Sequence, residues 1–142
     1  MPDPPVMSYA HTTTLRVRYG ETDQMGFVYY GIYAQYYEVA RVEAMRALGI
    51  YYADLERKFN IWMPVMNMQV RYLRPARYDD VLSILTLVPA LPDRDIRFRY
   101  EIRNGEGTLI NGAMVQLCFL DSTTQLRINA PDFIKEPLLP YF

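Results

Sequence analysis

The chain has one cysteine, Cys118, and one histidine, His11. A lone thiol cannot close an internal disulfide, and these two residues cannot supply the four ligands of a cysteine/histidine zinc site. Their positions offer no evident pairing or orienting third group, so neither supports a cysteine–histidine hydrolase. His11 reads as a surface histidine and Cys118 as a core residue. Excess basic charge is absent as well: 15 Lys and Arg stand against 16 Asp and Glu, a net charge of −1. No basic stripe marks a nucleic-acid partner. No apolar run approaches the roughly 20 residues that span a bilayer, and residues 1–11 lack the basic start and apolar stretch of an export signal. The expected location is the cytoplasm, without stable membrane insertion and without a metal or other cofactor.

What is present is a chain of 142 residues, 51% hydrophobic, enough for one domain and one core. The double proline Pro4-Pro5 in a polar start makes residues 1–11 a flexible arm, leaving 12–142 as a single domain. Alternating residues over 12–19 predict a first strand with Thr13, Leu15, Val17 and Tyr19 on the buried face. Residues 32–48 read as a long helix with a wide apolar face, stopped by Gly49, which enters the left-handed region at little cost. A short helix over 51–59 with Asn60 as its left-handed exit follows. Residues 61–72 predict a strand, irregular near Pro64. Residues 81–88 predict a buried strand, and Ile96, Phe98, Tyr100 and Ile102 alternate with charges in a one-sided strand. Asn104-Gly105 predicts a two-residue hairpin into a returning strand over 108–120. The resulting class is α+β, a curved antiparallel sheet of about five strands around one long helix.

The chemistry concentrates in Tyr19-Gly20-Glu21-Thr22-Asp23-Gln24-Met25-Gly26-Phe27-Val28-Tyr29-Tyr30-Gly31-Ile32-Tyr33, where a strand end and a glycine turn run into the long helix. A helix start presents free N–H groups and the positive end of its dipole. A carbonyl placed there is polarised while a nearby carboxylate attacks it or activates water, the two parts that thioester hydrolysis needs. Taken alone, Asp23 beside a glycine would be an ordinary turn residue. Glu21 and Thr22 read as a solvated loop charge and a local hydroxyl contact. Tyr29, Tyr33, Tyr36 and Tyr37 could pack the core or line an acyl pocket, as could Trp62, Met63, Met66 and Met68. Glu38, Arg41 and Glu43 read as helix-surface pairs or subunit contacts. Arg71, Arg74, Arg77 and Arg94, by strand-end position, are candidates for phosphate contacts.

The segment from Asp23 through Gly26, the aromatic pair Tyr29-Tyr30, Tyr33, Tyr36, Glu38, Arg41 and Glu43 to Gly49 resembles the hot-dog-fold thioesterases of the 4-hydroxybenzoyl-CoA type. Tyr72, Pro75, Ala76, Tyr78, Asp79 and Asp80 extend the match, which runs from about residue 15 to about 133. The resemblance implies a hot-dog fold and an acyl-CoA thioesterase. It implies Asp23 as the catalytic carboxylate and Tyr30 as donor of a backbone N–H to the thioester oxygen. Gly26, Val28, Tyr29, Gly31 and Tyr33 would bind substrate near the helix start, with Met66 toward the acyl group and Arg74 and Arg94 toward coenzyme A. The broader acyl-CoA branch, which includes the Tol-Pal-associated thioesterases, is the nearest in pattern. Many of those members carry histidine where Tyr30 stands, whereas the hydroxybenzoyl branch has tyrosine. That branch also has a strongly basic turn where this chain reads Pro92-Asp93-Arg94-Asp95. The family assembles as homodimers joined edge to edge, often paired into homotetramers, with active sites at subunit contacts. A noncatalytic acyl-CoA or acyl-carrier-protein binding module is the alternative. A hydratase using an aspartate–histidine pair ranks last, because His11 is the only histidine.

Overall fold

The computed structural model describes residues 8–142. The elements run β1 (Tyr9–Arg16), α1 (Tyr33–Arg46), α2 (Tyr52–Lys58), β2 (Ile61–Trp62), β3 (Val65–Tyr72), β4 (Val81–Val88), β5 (Asp95–Arg103), β6 (Leu109–Asp121), β7 (Arg127–Ile128) and α3 (Asp132–Leu138). The sheet order is β1-β4-β5-β6, with β6 also pairing β2, β3 and β7, and every pairing is antiparallel. One face of β4 and β5 buries Leu82, Ile84, Phe98, Tyr100 and Ile102, and α1 packs on the sheet against β1 and β4. This is the expected sheet around one helix.

At the core centre the Tyr37 ring of α1 stacks on Tyr100 of β5 with centroids 4.8 Å apart, and its hydroxyl donates to Asn111 Oδ1 of β6. Tyr9 O–H donates to Ala44 O at 2.6 Å and ties β1 to the helix. Gly49, at φ +82°, closes α1 as expected. Its N–H reaches Arg46 O at 2.9 Å and the Ile50 N–H reaches Met45 O at 3.0 Å, the paired bonds of a Schellman cap. A β-carbon here would meet no atom within 4 Å, so Gly49→Ala tests backbone strain alone. Chemical denaturation should show a loss of about 1 kcal/mol. Asn60 takes the expected left-handed exit at φ 56°.

Several expectations need correction. The first strand spans Tyr9–Arg16, not 12–19, because it pairs with all eight residues of β4, from Tyr9↔Val88 to Arg16↔Val81. Residues 9–11 of the expected arm are therefore strand, and residues 1–7 of it lie outside the described residues. His11 is half-buried within that strand, and its Nδ1 has no hydrogen-bond partner among the described residues. Val17 turns inward as expected, but Tyr19 opens a 3-10 turn (Tyr19–Glu21) and is exposed. The strand over 61–72 splits at Pro64 into β2 and β3, with a bulge at Met66.

The two-residue hairpin at Asn104-Gly105 is instead a longer turn. Gly107, not Gly105, carries positive φ (+81°), and Asn104 Oδ1 accepts the Glu106 and Thr108 N–H groups, each at 3.0 Å. An asparagine side chain that caps its own turn competes with the tighter geometry. Strand β7 and helix α3 complete the chain without a strong periodic signal. In α3 only Ile134 and Leu138 are buried, too few for a helical pattern to register. Among the described residues no helix is long and apolar enough to cross a membrane.

Candidate active site

After the 3-10 turn that begins at Tyr19, the chain forms a tight loop closed by the Thr22↔Val28 bridge. Asp23 N–H donates to Phe27 O at 2.8 Å, and Gly26, at φ +81°, returns its N–H to Asp23 O at 3.0 Å. The Asp23 side chain completes the loop. Its Oδ1 accepts the Met25 N–H at 2.9 Å and the Phe27 N–H at 3.2 Å. One carboxylate oxygen is thus anchored, while Oδ2 takes no hydrogen bond from the described residues. Further along, Val28 N–H binds Ala76 O at 2.8 Å, Tyr29 N–H binds Glu21 O at 2.9 Å, and Phe27 bridges to Arg77. The loop is pinned to the segment that follows β3.

Tyr30 begins a 3-10 turn (Tyr30–Ile32) that leads into α1. Its N–H has no hydrogen-bond partner among the described residues, as expected for the first residue of a helical turn. Asp23, Val28, Tyr30 and Tyr33 form one wall of a cleft of about 330 Å³, and Tyr72, Leu73, Arg74 and Pro75 form the other. Tyr72 O–H reaches Tyr30 O at 3.4 Å. The Tyr33 ring meets both Tyr36 and Tyr72 edge-on with centroids 5.7 Å apart. Burial, followed by the neighbouring Tyr72, pushes the Tyr33 phenol up to about 12, so it stays neutral as a wall of the cleft.

Of the residues expected from sequence, the structure brings together Asp23, Val28, Tyr30, Tyr33 and Arg74. Gly26 shapes the loop. Gly31 lies under the Tyr29 ring, where a β-carbon would sit 3.1 Å from Tyr29 Cε2, and Tyr29 itself packs on Tyr30 at 4.6 Å. Met66 and Arg94 do not line the cleft. Met66 is half exposed at the far end of β3, and Arg94 precedes β5, whose first pair, Asp95↔Cys118, is at the opposite end of β6 from Asn111↔Tyr72. Sequence reasoning did not identify Phe27, Leu73 or Pro75 as lining. Tyr72 shares a strand face with Met68 and Val70, and that alternation was the available signal.

Two charged residues are placed differently from expectation. Glu21 is not solvated: it is only 7% exposed. Its carboxylate accepts the Arg18 N–H at 2.8 Å and the Tyr36 hydroxyl at 2.8 Å, and pairs with the Arg18 guanidinium at 2.9 Å. Burial alone would raise its pKa, but those hydrogen bonds and the Arg18 charge outweigh burial and lower it. A lowered carboxylate pKa adds stability above the unfolded value, near pH 4.3, and that stability fades as pH falls through the folded value. Glu21→Gln should cost about 1 kcal/mol at neutral pH, Arg18 being largely exposed. Melts across pH should show the difference narrowing under acid conditions. Thr22 behaves as expected, its hydroxyl donating to Tyr19 O at 2.8 Å.

Arg41 is the second case. It is 8% exposed, not a surface partner. No ion pair reaches it among the described residues, its Nε is unpartnered, and the Tyr52 and Tyr100 hydroxyls are its polar neighbours. It lines a groove of about 320 Å³ between α1 and β3 with Ala34, Gln35, Glu38, Val65 and Met68. Helix 3.6-residue geometry buries position 41 because Ala40, Ala44 and Met45 face the same core. Glu43 pairs instead with Arg46 at 2.9 Å.

Known proteins share this sequence and fold. Acyl-CoA thioester hydrolase YbgC of Escherichia coli is 36% identical over 107 residues, 75% of this chain and 79% of that protein. The structure of DHNA-CoA thioesterase from Staphylococcus aureus superposes with a TM-score of 0.81 at 33% identity, covering 84% of this chain and 80% of that one. A 4-hydroxybenzoyl CoA thioesterase complexed with 4-hydroxybenzoyl CoA shares the fold at a TM-score of 0.83 and 20% identity, over 92% of this chain and 99% of the other. The sequence profile of the thioesterase-like superfamily matches residues 17–138, and the chain belongs to that family.

Proposed function

We propose that this protein hydrolyses acyl-CoA thioesters to a carboxylic acid and free coenzyme A, with Asp23 as the reacting carboxylate. The observation that carries the reading is an anchored Asp23, one oxygen unengaged, and the unpartnered Tyr30 N–H in the lining of one cleft. In one route Asp23 Oδ2 attacks the thioester carbon, the C–S bond breaks, and the thiolate takes a proton as it leaves. Water then cleaves the resulting mixed anhydride and restores the carboxylate. In the other route Asp23 takes a proton from the attacking water. Both place negative charge on the carbonyl oxygen, where the Tyr30 N–H and the helix dipole stabilise it. The finer assignment is to the Tol-Pal-associated branch with tyrosine in place of its histidine, acting as a single hot-dog domain in the cytoplasm.

The working unit in this proposal is a homodimer or homotetramer. Strand β3 is an edge, and Val65, Met66, Met68 and Tyr72 are exposed on it. Unprotected edges of this kind favour pairing with another strand. Antiparallel pairing of two β3 edges would cover the Arg41 groove and carry Met66 of the second copy, with its Arg94 turn behind, toward the cleft. Thiol release, followed with a disulfide reagent on short-chain, long-chain and aromatic acyl-CoAs, tests the reading. Release by the wild type and none by Asp23→Asn is the expected result. Binding of acyl-CoA without release would leave only a binding module.

A further inference from the structure

Beyond the Phe27 wall of the cleft stand rings and a guanidinium group that the hydrolytic step does not use. Tyr19 and Tyr78 are 78% and 57% exposed, and their rings meet at 5.4 Å with a 43° tilt. Both are held on fixed backbone. Thr22 N–H and Oγ1 bind Tyr19 O at 3.2 and 2.8 Å, and next to Tyr78 the Asp79 N–H binds Val17 O at 3.0 Å. Two exposed rings give up the burial that tyrosine normally gains, so a preorganised pair of this kind suits a planar ligand.

Arg77, next to Tyr78 in the chain, sets its guanidinium 4.9 Å over the ring of Phe27, itself a cleft wall. Arg16 and Arg18 are committed to Asp79 at 3.2 Å and Glu21 at 2.9 Å. Arg74 and Arg77 form no ion pair among the described residues. The remaining acid, Asp80, accepts the Arg77 N–H at 2.9 Å through its side chain. Cleft wall, unpaired cation and aromatic pair are thus linked in sequence through Phe27, Arg77 and Tyr78.

We propose that this group is the nucleotide subsite: the adenine of coenzyme A stacks on Tyr19 and Tyr78 while Arg77 holds its phosphates. The inference rests on the acyl-CoA reading above and names where the far end of that substrate is held. Stacking and charge-assisted contacts of this kind make affinity for coenzyme A exceed that for pantetheine, which lacks the nucleotide, and make the excess shrink with added salt.

Calorimetric titration with coenzyme A and with pantetheine, at low and high salt, tests it on wild type, Arg77→Ala, the double variant Tyr19→Ala/Tyr78→Ala and Tyr78→Phe, each checked by thermal melt. The two alanine variants should lose about tenfold of the coenzyme A advantage, and Tyr78→Phe should retain it. An unchanged advantage in folded alanine variants overturns the subsite, as does binding to anionic phospholipid vesicles without binding to coenzyme A. Hydrolysis with an unchanged advantage refutes the subsite alone. An advantage that depends on these residues in a protein that releases no thiol supports the subsite and refutes the hydrolase reading.

Discussion

Asp23→Asn is expected to slow thiol release from acyl-CoA by about a thousandfold, the range in which a reacting carboxylate contributes. Its folding should hardly change. The structural work of Asp23 is done by Oδ1, which accepts the Met25 and Phe27 N–H groups, and the amide oxygen of asparagine can accept both. What the substitution removes is the charge and the basic, nucleophilic Oδ2. Steady-state kinetics beside a thermal melt separate the two roles. A melting temperature within about 2 °C of wild type, with activity nearly abolished, assigns the loss to chemistry. Activity within a few fold of wild type in the folded variant would refute a reacting role for Asp23.

The second large effect is expected at Tyr30, and it discriminates backbone from side chain. If the Tyr30 N–H is the donor to the developing oxyanion, Tyr30→Pro should lower kcat by about 100- to 1000-fold, the usual cost of losing one such donor. Proline suits this position: Tyr30 is the first residue of a helical turn, where the N–H is free, and Tyr29 before it is extended at φ −61°, ψ 134°. Tyr30→Ala retains the N–H while deleting a side chain that is already 65% exposed. It should keep kcat within about fivefold, since only contacts with Tyr29 and a cleft wall are lost. Measuring kcat and KM for both variants on one acyl-CoA checks the assignment. Equal losses in the two would place the donor in the side chain or elsewhere.

The sequence was most informative where the determining physics is local. Alternation placed β4 and β5 and their buried faces, because a strand shows one face every second residue. Gly49 and Asn60 marked helix exits because positive φ is cheap for those residues. The carboxylate beside a helix start was also legible, since Asp23 and Tyr30 are separated by one short loop whose bonds are almost all internal. Within the family resemblance, that segment carried the functional reading.

Only the tertiary structure decided which charges are buried and which distant segments meet. Glu21 reads as a loop charge until Tyr36, fifteen positions away, donates to it. Arg41 reads as a surface arginine until α2 and β5 bring the Tyr52 and Tyr100 hydroxyls beside it. The second cleft wall at residues 72–75, the separation of Met66 and Arg94 from Asp23, and the exposed Tyr19–Tyr78 pair all depend on the order and register in which strands join the sheet. Composition and periodicity determine that a helix lies against a sheet here. They do not determine which residues meet across it, because those contacts arise between segments that share no local signal and form only when the whole sheet is assembled.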